Sequence, residues 1–597
     1  MSGRPAARGP LRRGRLAKSA PWLVAGLAVA VLPFVLSPFY VALMSFVGIA
    51  GLVATGLVLL TGIGGQSSFG QAAFAGVAAY TTALLSRDLL WSPWISWAPA
   101  LLLTAAAALA IGLVTVRLSG HYLALATIAW GTSAYNLMGT LPGLGGYNGL
   151  PDIPGLPVLS QHPRWMLLFI AALVLAVILL TRNLLDSRHG RAIRALAGGR
   201  LMAESMGVDT ARAALSIFVI AALYAGLSGW IYAHVQGVVN PSPFSLTAGI
   251  DDLFMVIIGG ADALAGAVLG AGVVTVLRDQ LSDILPRLFG QPGSYEGMVF
   301  AALVILALQR LPRGLMSAIP RRLIPRAALP TGAAPPLAAL RAPAAGEVLR
   351  VDRLTRRFGG HVANDAVSFG VDAGRIVAII GPNGAGKSTL FNLVGGLLRA
   401  DSGTISLCGA PIGRMPSRGI ARAGIARTFQ HVRLLAEASV LENIALGAHL
   451  RGRAGVLAAM LRLDRAEERR LLAEAARQAA RLGLAEHLHR PAGELPLGLQ
   501  RLVEIARALC LDPVLLLLDE PAAGLRLAEK QRLAALLGVL RHEGLAILLV
   551  EHDMDFVMGL AEHVVVMEFG RVIAAGPPEH VQSDSRVLDA YLGGLDA

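Results

Sequence analysis

The chain has 597 residues, 55% of them apolar and only 15% charged, and its mean hydropathy is +0.61. Soluble domains carry roughly 25% charged residues and rarely grow past about 250–300 residues around one core, so these values exclude a single soluble enzyme and a disordered scaffold. The net charge of +13 and pI of about 10.4 invite a nucleic-acid reading, but residues 1–346 hold 23 Lys and Arg against 11 Asp and Glu, while 347–597 hold 29 against 28. The excess sits in the apolar half, where it reads as a membrane-orientation signal and no nucleic-acid partner is expected.

In chain order, residues 1–19 form a basic arm (Arg4, Arg8, Arg12, Arg13, Arg15, Lys18) without an acid. Two further basic clusters follow, one over Arg182–Arg212 and one over Arg310–Arg341; all three mark a cytoplasmic face. Apolar runs near 20–36, 40–62, 68–86, 96–116, 121–139, 165–181, 213–235, 251–277 and 297–310 approach the ~20 residues a bilayer span needs. They predict a polytopic α-helical membrane domain of about 8–10 spans over 20–318. Trp91, Trp94 and Trp97 fall where an interfacial aromatic belt belongs. Both basic ends on one face require an even number of crossings, so one run is not a full span. The run 251–277, interrupted by Gly259, Gly260, Asp262 and Gly266, reads as a broken or re-entrant helix, and GIGGQSSFG (62–70) as a second irregular stretch. Close helix packing through small residues accounts for these glycines equally well. Gln66, Ser67 and Gln71 are the polar candidates for a pathway.

Residues 319–346, rich in Pro, Ala and Arg, read as an extended semi-rigid linker to a separate domain at 347–597. That domain alternates apolar strands (near 348, 367–369, 375–380, VLLLLDE, AILLVEHD, HVVVMEFG) with helical patterns, as a parallel α/β sheet does. A mixed-charge stretch at about 440–490, including Glu468, Arg469 and Arg470, reads as a solvated helical subdomain. Cys408 and Cys510, without metal or disulfide spacing, are expected to be reduced, buried thiols.

Between a strand and a helical pattern lies GPNGAGKST: Gly381, Pro382, Asn383, Gly384, Ala385 and Gly386 precede Lys387, Ser388 and Thr389. Glycines at this spacing turn backbone N–H groups onto phosphates, Lys387 reaches the β and γ phosphates, and the Ser388 hydroxyl suits Mg2+. Lys387 is one of only three lysines in the chain. The strand Leu515–Leu518 delivers Asp519 and Glu520, expected to hold the metal shell and to polarise a water, and His552 ends the next strand.

These motifs resemble the ATPase subunit of the ABC transporters over 347–597. The resemblance implies ATP and Mg2+ as cofactors, Phe358 as the adenine-stacking aromatic, Gln430 (in RTFQ) as the metal and membrane-partner sensor, and Glu520, His552 and Gln430 as the catalytic group. Its signature segment corresponds to Leu495, Pro496, Leu497, Gly498, Leu499 and Gln500. Here LPLGLQ departs from the usual LSGGQ, and Arg526 stands where Asn or Asp is usual. A composite site using this segment is therefore expected to be weakened, which implies a heterodimer with a second ATPase that supplies an intact signature. DEPAAGL and RLVEIARAL are similar to the branch serving branched-chain amino-acid importers. Residues 20–318 resemble that family's permease through GGQSSFGQAAFAGVAAY (64–80), GHYLALATIAW (120–130), GGYNGLPDIPG (145–155) and RAIRALAGGRLMAESMGVD (191–209), with 182–212 the coupling loop. The implied protein is a permease–ATPase fusion in a bacterial inner membrane, with its N-terminus and ATPase cytoplasmic. Its implied partners are the lipid bilayer, a second permease and a periplasmic amino-acid-binding protein. An importer of urea or short amides fits the same motifs, and a membrane-anchored regulatory ATPase is the alternative from another class.

Overall fold

The described residues of the computed structural model are 31–115, 118, 120–289, 295–318, 334–341 and 344–592. The basic arm and most of the run 20–36 lie outside them. The chain folds as two compact units, one of residues 1–182 with 214–328 and one of residues 183–213 with 329–597.

Wholly or mostly in the first unit, α1 (Pro38–Leu57), α2 (Gln71–Ala83), α3 (Pro93–Thr115), α4 (His121–Thr140) and α5 (Pro163–Leu185) are followed by α8 (Thr210–Gln236), α9 (Leu246–Gly259), α10 (Leu264–Phe289) and α11 (Tyr295–Arg310); α6 (Arg188–Gly198) and α7 (Arg200–Ser205) lie in the second unit. Among the described residues, six helices are long and apolar enough to cross a membrane. The run 68–86 gives the shorter α2, extended by a π-helical turn at Leu84–Asp88. The run 251–277 is indeed broken: α9 stops at Gly259, Gly260 has a left-handed φ of +113°, and α10 restarts at Leu264. The break and small-residue packing occur together, because a Cβ on Gly266 would meet the carbonyls of Gly259 and Gly260. Residues 65–70 are irregular, as expected. Gln66 and Gln71 are buried there, each with a side-chain carbonyl lacking a partner, while Ser67 is exposed. A buried polar cluster is better satisfied. His234 Nδ1 lies 2.6 Å from the Pro154 carbonyl, and its Nε2 lies 3.1 Å from the Thr82 hydroxyl.

The second unit holds two sheets. One is antiparallel, in the order β2-β1-β4-β5: β1 (Glu347–Phe358), β2 (His361–Asp372), β4 (Ser402–Leu407) and β5 (Ala410–Pro411). The other runs β10-β9-β3-β8-β7-β6, with β3 (Ile376–Ile380), β6 (Ile425–Arg427), β7 (Leu515–Asp519), β8 (Ala546–Val550) and β9 (His563–Glu568) parallel and β10 (Arg571–Gly576) antiparallel. Every residue of β3, β7 and β8 is buried, the signature of a parallel sheet covered on both faces. The antiparallel sheet was not foreseen: β1–β2 and β4–β5 are hairpins closed by the two-residue turns Gly359–Gly360 and Cys408–Gly409, local signals that went unread, and only the β1–β4 pairing joins distant segments.

The helical subdomain contains α14 (Val440–Gly447), α15 (Val456–Met460) and α16 (Arg465–Arg481). It is not solvated throughout: Arg469 and Arg470 are exposed, but Glu468 is buried against Arg191 of the segment 183–213. The expectation for the cysteines also needs correcting. Cys510 is buried, whereas Cys408 is exposed in the turn joining β4 to β5, where its φ is +47°.

Candidate ATP site and its coupling segment

The centre of the parallel sheet builds the site. β3 ends at Ile380, the chain turns through 381–386, and α12 (Lys387–Val394) begins at Lys387. Gly386 has a φ of +95°, and a Cβ there would meet the Ala363 carbonyl, so the turn requires glycine. α12 opens directly on this loop without a side-chain cap, so its first N–H groups, which have no partner within the helix, adjoin the loop in an arrangement suited to phosphate. The Lys387 ammonium donates to the carbonyls of Gly381 (2.6 Å) and Pro382 (2.9 Å). Burial lowers its pKa, with the nearby Glu520 carboxylate opposing the shift.

Strands β7 and β8 bring the acids alongside. Asp519 is buried and accepts from Arg427 at 3.2 Å. Burial raises the Asp519 pKa, with Arg427 working against it. Glu520 lies one residue beyond the strand with φ +47°, its N–H bonded to the Val550 carbonyl at 2.9 Å. Its Oε2 accepts from the Gln430 amide at 3.0 Å and lies 3.9 Å from His552 Nδ1. Lys387, Gln430, Asp519, Glu520 and His552 are thus gathered at the carboxyl ends of adjacent parallel strands, where ligands of open α/β sheets bind. Phe358 is exposed at the end of β1, with the Arg356 guanidinium over one face of its ring at 4.7 Å from the centroid.

The segment 495–500 stands elsewhere. It opens α17 (Leu497–Leu509), with Gln500 donating to the Leu495 carbonyl at 2.8 Å. Leu497 is exposed, and a Cβ on Gly498 would meet Glu529. Arg526 caps α18 (Leu527–His542), its N–H donating to Glu529 at 2.9 Å.

Three positioning residues escaped the sequence reading. Arg427 stacks over Phe391 and Phe429 while pairing with Asp519. Glu551 accepts from the Ala522 N–H at 2.6 Å and the His552 N–H at 3.1 Å, tying the ends of β7 and β8 together. Arg501 of α17 donates to the carbonyls of Phe429 (2.6 Å) and Gln430. The available signals were an arginine three residues before Gln430 and an acid immediately before His552, neither distinctive alone.

The segment 183–213 folds onto this same unit as α6 (Arg188–Gly198) and α7 (Arg200–Ser205), with Ser187 capping α6 by accepting from the N–H groups of His189 and Gly190. Ala192, Ala195, Met202, Ala203 and Met206 pack with Phe429 and Leu446. Arg191 forms a buried two-pronged pair with Glu468, one contact at 3.1 Å. Contacts therefore run from this segment through Phe429 to Gln430 and Glu520.

Comparison with known proteins identifies the machinery. Residues 39–308 match the branched-chain amino acid transport system permease component, 364–523 the ABC transporter family, and 571–597 the branched-chain amino acid ATP-binding cassette transporter family. The high-affinity branched-chain amino acid transport ATP-binding protein LivG of Salmonella typhimurium is 42% identical over 249 residues, which are 41% of this chain and 98% of LivG. The chain belongs to the branched-chain amino-acid ABC transporter family. It joins a permease component to an ATP-binding component, and its ATPase activity is coupled to transport. The corresponding protein BraF of Pseudomonas aeruginosa is 41% identical over the same shares of the two chains. A solved nucleotide-free ATP-binding cassette from an ABC transporter is 34% identical, covers 41% of this chain and 99% of its own, and has a TM-score of 0.38.

Proposed function

We propose that the chain is the fused permease–ATPase component of an importer that carries branched-chain or related amino acids across the inner membrane into the cytoplasm. In this reading it works with a second permease, a second ATPase and a periplasmic binding protein. The observation that carries the reading is the presence in one chain of permease sequence (39–308) and ATP-binding sequence ending in the branched-chain transporter segment (571–597). The functional boundaries are a basic arm at 1–19, the permease at 20–318, the linker at 319–346 and the ATPase at 347–597.

ATP lies with its adenine on Phe358 and its phosphates in the loop 381–389. Lys387 exchanges its carbonyl contacts for the β and γ phosphates, which supports the role because its ammonium is already held over the loop. The hydroxyl of Ser388, the carboxylate of Asp519 and the amide oxygen of Gln430 form an all-oxygen donor set that fits Mg2+, which when bound neutralises charge building on the phosphates. Glu520 orients the attacking water and accepts its proton, and His552 contacts the γ phosphate. Gln430 leaves Glu520 when the site fills, and Phe429 carries that shift to Met202 and Met206 of the segment 183–213. Pro496, Leu497 and Leu499 remove the signature's polar contacts, so this segment serves its facing ATP poorly and the partner ATPase supplies the better one. Gln66, Ser67 and Gln71 line the amino-acid path.

The test is uptake in vesicles reconstituted with the complex purified from its native membrane through a tag on this chain. Labelled leucine is expected to accumulate when ATP is supplied. Accumulation of urea or acetamide without leucine would overturn the amino-acid reading, and ATP hydrolysis without uptake of any of them would favour a regulatory ATPase.

A further inference from the structure

Within the second unit, a cavity of about 600 Å³ opens between three stretches distant in sequence: the segment 183–213, the linker end at 340–341, and the region 422–452. Its charged lining is Arg188, Arg341, Arg422 and Asp209, and beside them lies His449, whose pKa burial and then the neighbouring arginines hold well below the usual imidazole value. Asp209, the one acid, is already paired with Arg418 and with Arg212 at 3.4 Å. Outside the lining, Glu467 and Asp512 act on Arg188 and Arg341 through space while accepting from backbone N–H groups, Glu467 from Arg453 and Ala454 and Asp512 from Leu340. These acids offset part of the charge on Arg188 and Arg341, and the lining itself keeps three guanidiniums to one carboxylate.

Two of the guanidiniums are fixed in place by neutral acceptors. Arg188 donates to the carbonyls of His449 (2.7 Å), Gly452 (2.8 Å) and Ala454 (2.7 Å), and Arg341 to those of Asp512 (2.6 Å) and Arg422 (2.5 Å). Arg188 Nε and His449 Nδ1 are buried without a partner. The Arg422 side chain has no ion pair among the described residues and is exposed. A buried donor left unbonded is destabilising, so guanidiniums held rigid around one cavity, with the Arg188 Nε–H unpartnered, form a preorganised anion receptor.

We propose that this cavity binds a phosphate-bearing anion, separate from the ATP held at residues 381–389, and that the anion ties the linker and the segment 183–213 to the helical subdomain. A phosphate group offers several acceptor oxygens to guanidinium forks, and the cavity has room for a sugar or glycerol attached to it. The anion is either a soluble phosphomonoester or a lipid headgroup, which share this chemistry.

The test uses the full chain in phosphatidylcholine nanodiscs, with the ATP site saturated by a non-hydrolysable ATP analogue, and measures equilibrium binding of labelled inorganic phosphate. Wild type is expected to bind phosphate, Arg422→Gln to weaken that binding about tenfold or more, and Arg422→Lys to recover part of it. Because the Arg422 side chain makes no ion pair, the variants should unfold at the wild-type temperature. In discs that also contain phosphatidylglycerol, displacement of the bound phosphate identifies a headgroup as the ligand, and undiminished binding identifies a soluble anion. Phosphate binding that is absent from wild type, or unchanged in Arg422→Gln, would overturn the proposal.

Discussion

Glu520 occupies left-handed backbone at φ +47°, which costs a non-glycine residue about 1–3 kcal/mol and is retained where the surroundings enforce it. The bond from its N–H to Val550 and the salt-bridged Asp519 beside it supply that enforcement. Replacing Glu520 with Gln keeps the shape and removes the proton acceptor we propose, so hydrolysis should fall by about 10²–10⁴-fold while ATP binding persists. Nucleotide binding and phosphate release, measured together, check this. Arg427→Met should be harsher on folding, because it leaves Asp519 buried and unpaired at about 3–5 kcal/mol, read by chemical denaturation. Glu520 and Lys387 were legible because their motifs are contiguous. Arg427 was not, since its partner Asp519 lies 92 residues away and only the pairing of β6 with β7 brings them together.

At the scale of elements, the segment 183–213 is where sequence and structure differ most instructively. Its basic character could be read, but α6 buries Arg191 against Glu468, 277 residues distant. A mixed-charge helix pattern gives no sign that one of its acids is reserved for a remote arginine. Arg191→Met should destabilise the second unit by about 3–5 kcal/mol, and adding Glu468→Met should recover much of the loss, since replacing both partners removes the stranded charge. A double-mutant cycle on unfolding measures the coupling. In the reconstituted complex, the single variant should lose more uptake than hydrolysis, because the segment lies outside the phosphate loop. The same reasoning covers Arg501, whose contacts hold the Gln430 turn: Arg501→Met should raise the ATP concentration needed for half-maximal hydrolysis.

For the molecule as a whole, the two units answer to different physics. Membrane crossings could be recognised from run length and hydropathy, and the break at Gly259–Gly260 from glycines in an apolar run; the β1–β4 pairing that joins the two hairpins of the antiparallel sheet could not, because register between distant strands is a tertiary property. The departures at Pro496, Leu497, Leu499 and Arg526 bear on assembly. Under the proposed heterodimer, the chain purified alone should bind ATP and hydrolyse it slowly, with turnover rising when a second ATPase carrying an intact signature is added. The central claim is that hydrolysis at Glu520 drives inward transport of a branched-chain amino acid, and it is tested most directly by the leucine gradient formed in vesicles loaded with ATP and holding the complete native complex. With wild type, the account predicts internal leucine rising above the external concentration, and with Glu520→Gln no such gradient. An equal gradient in the variant, or none with wild type while ATP is consumed, would contradict it.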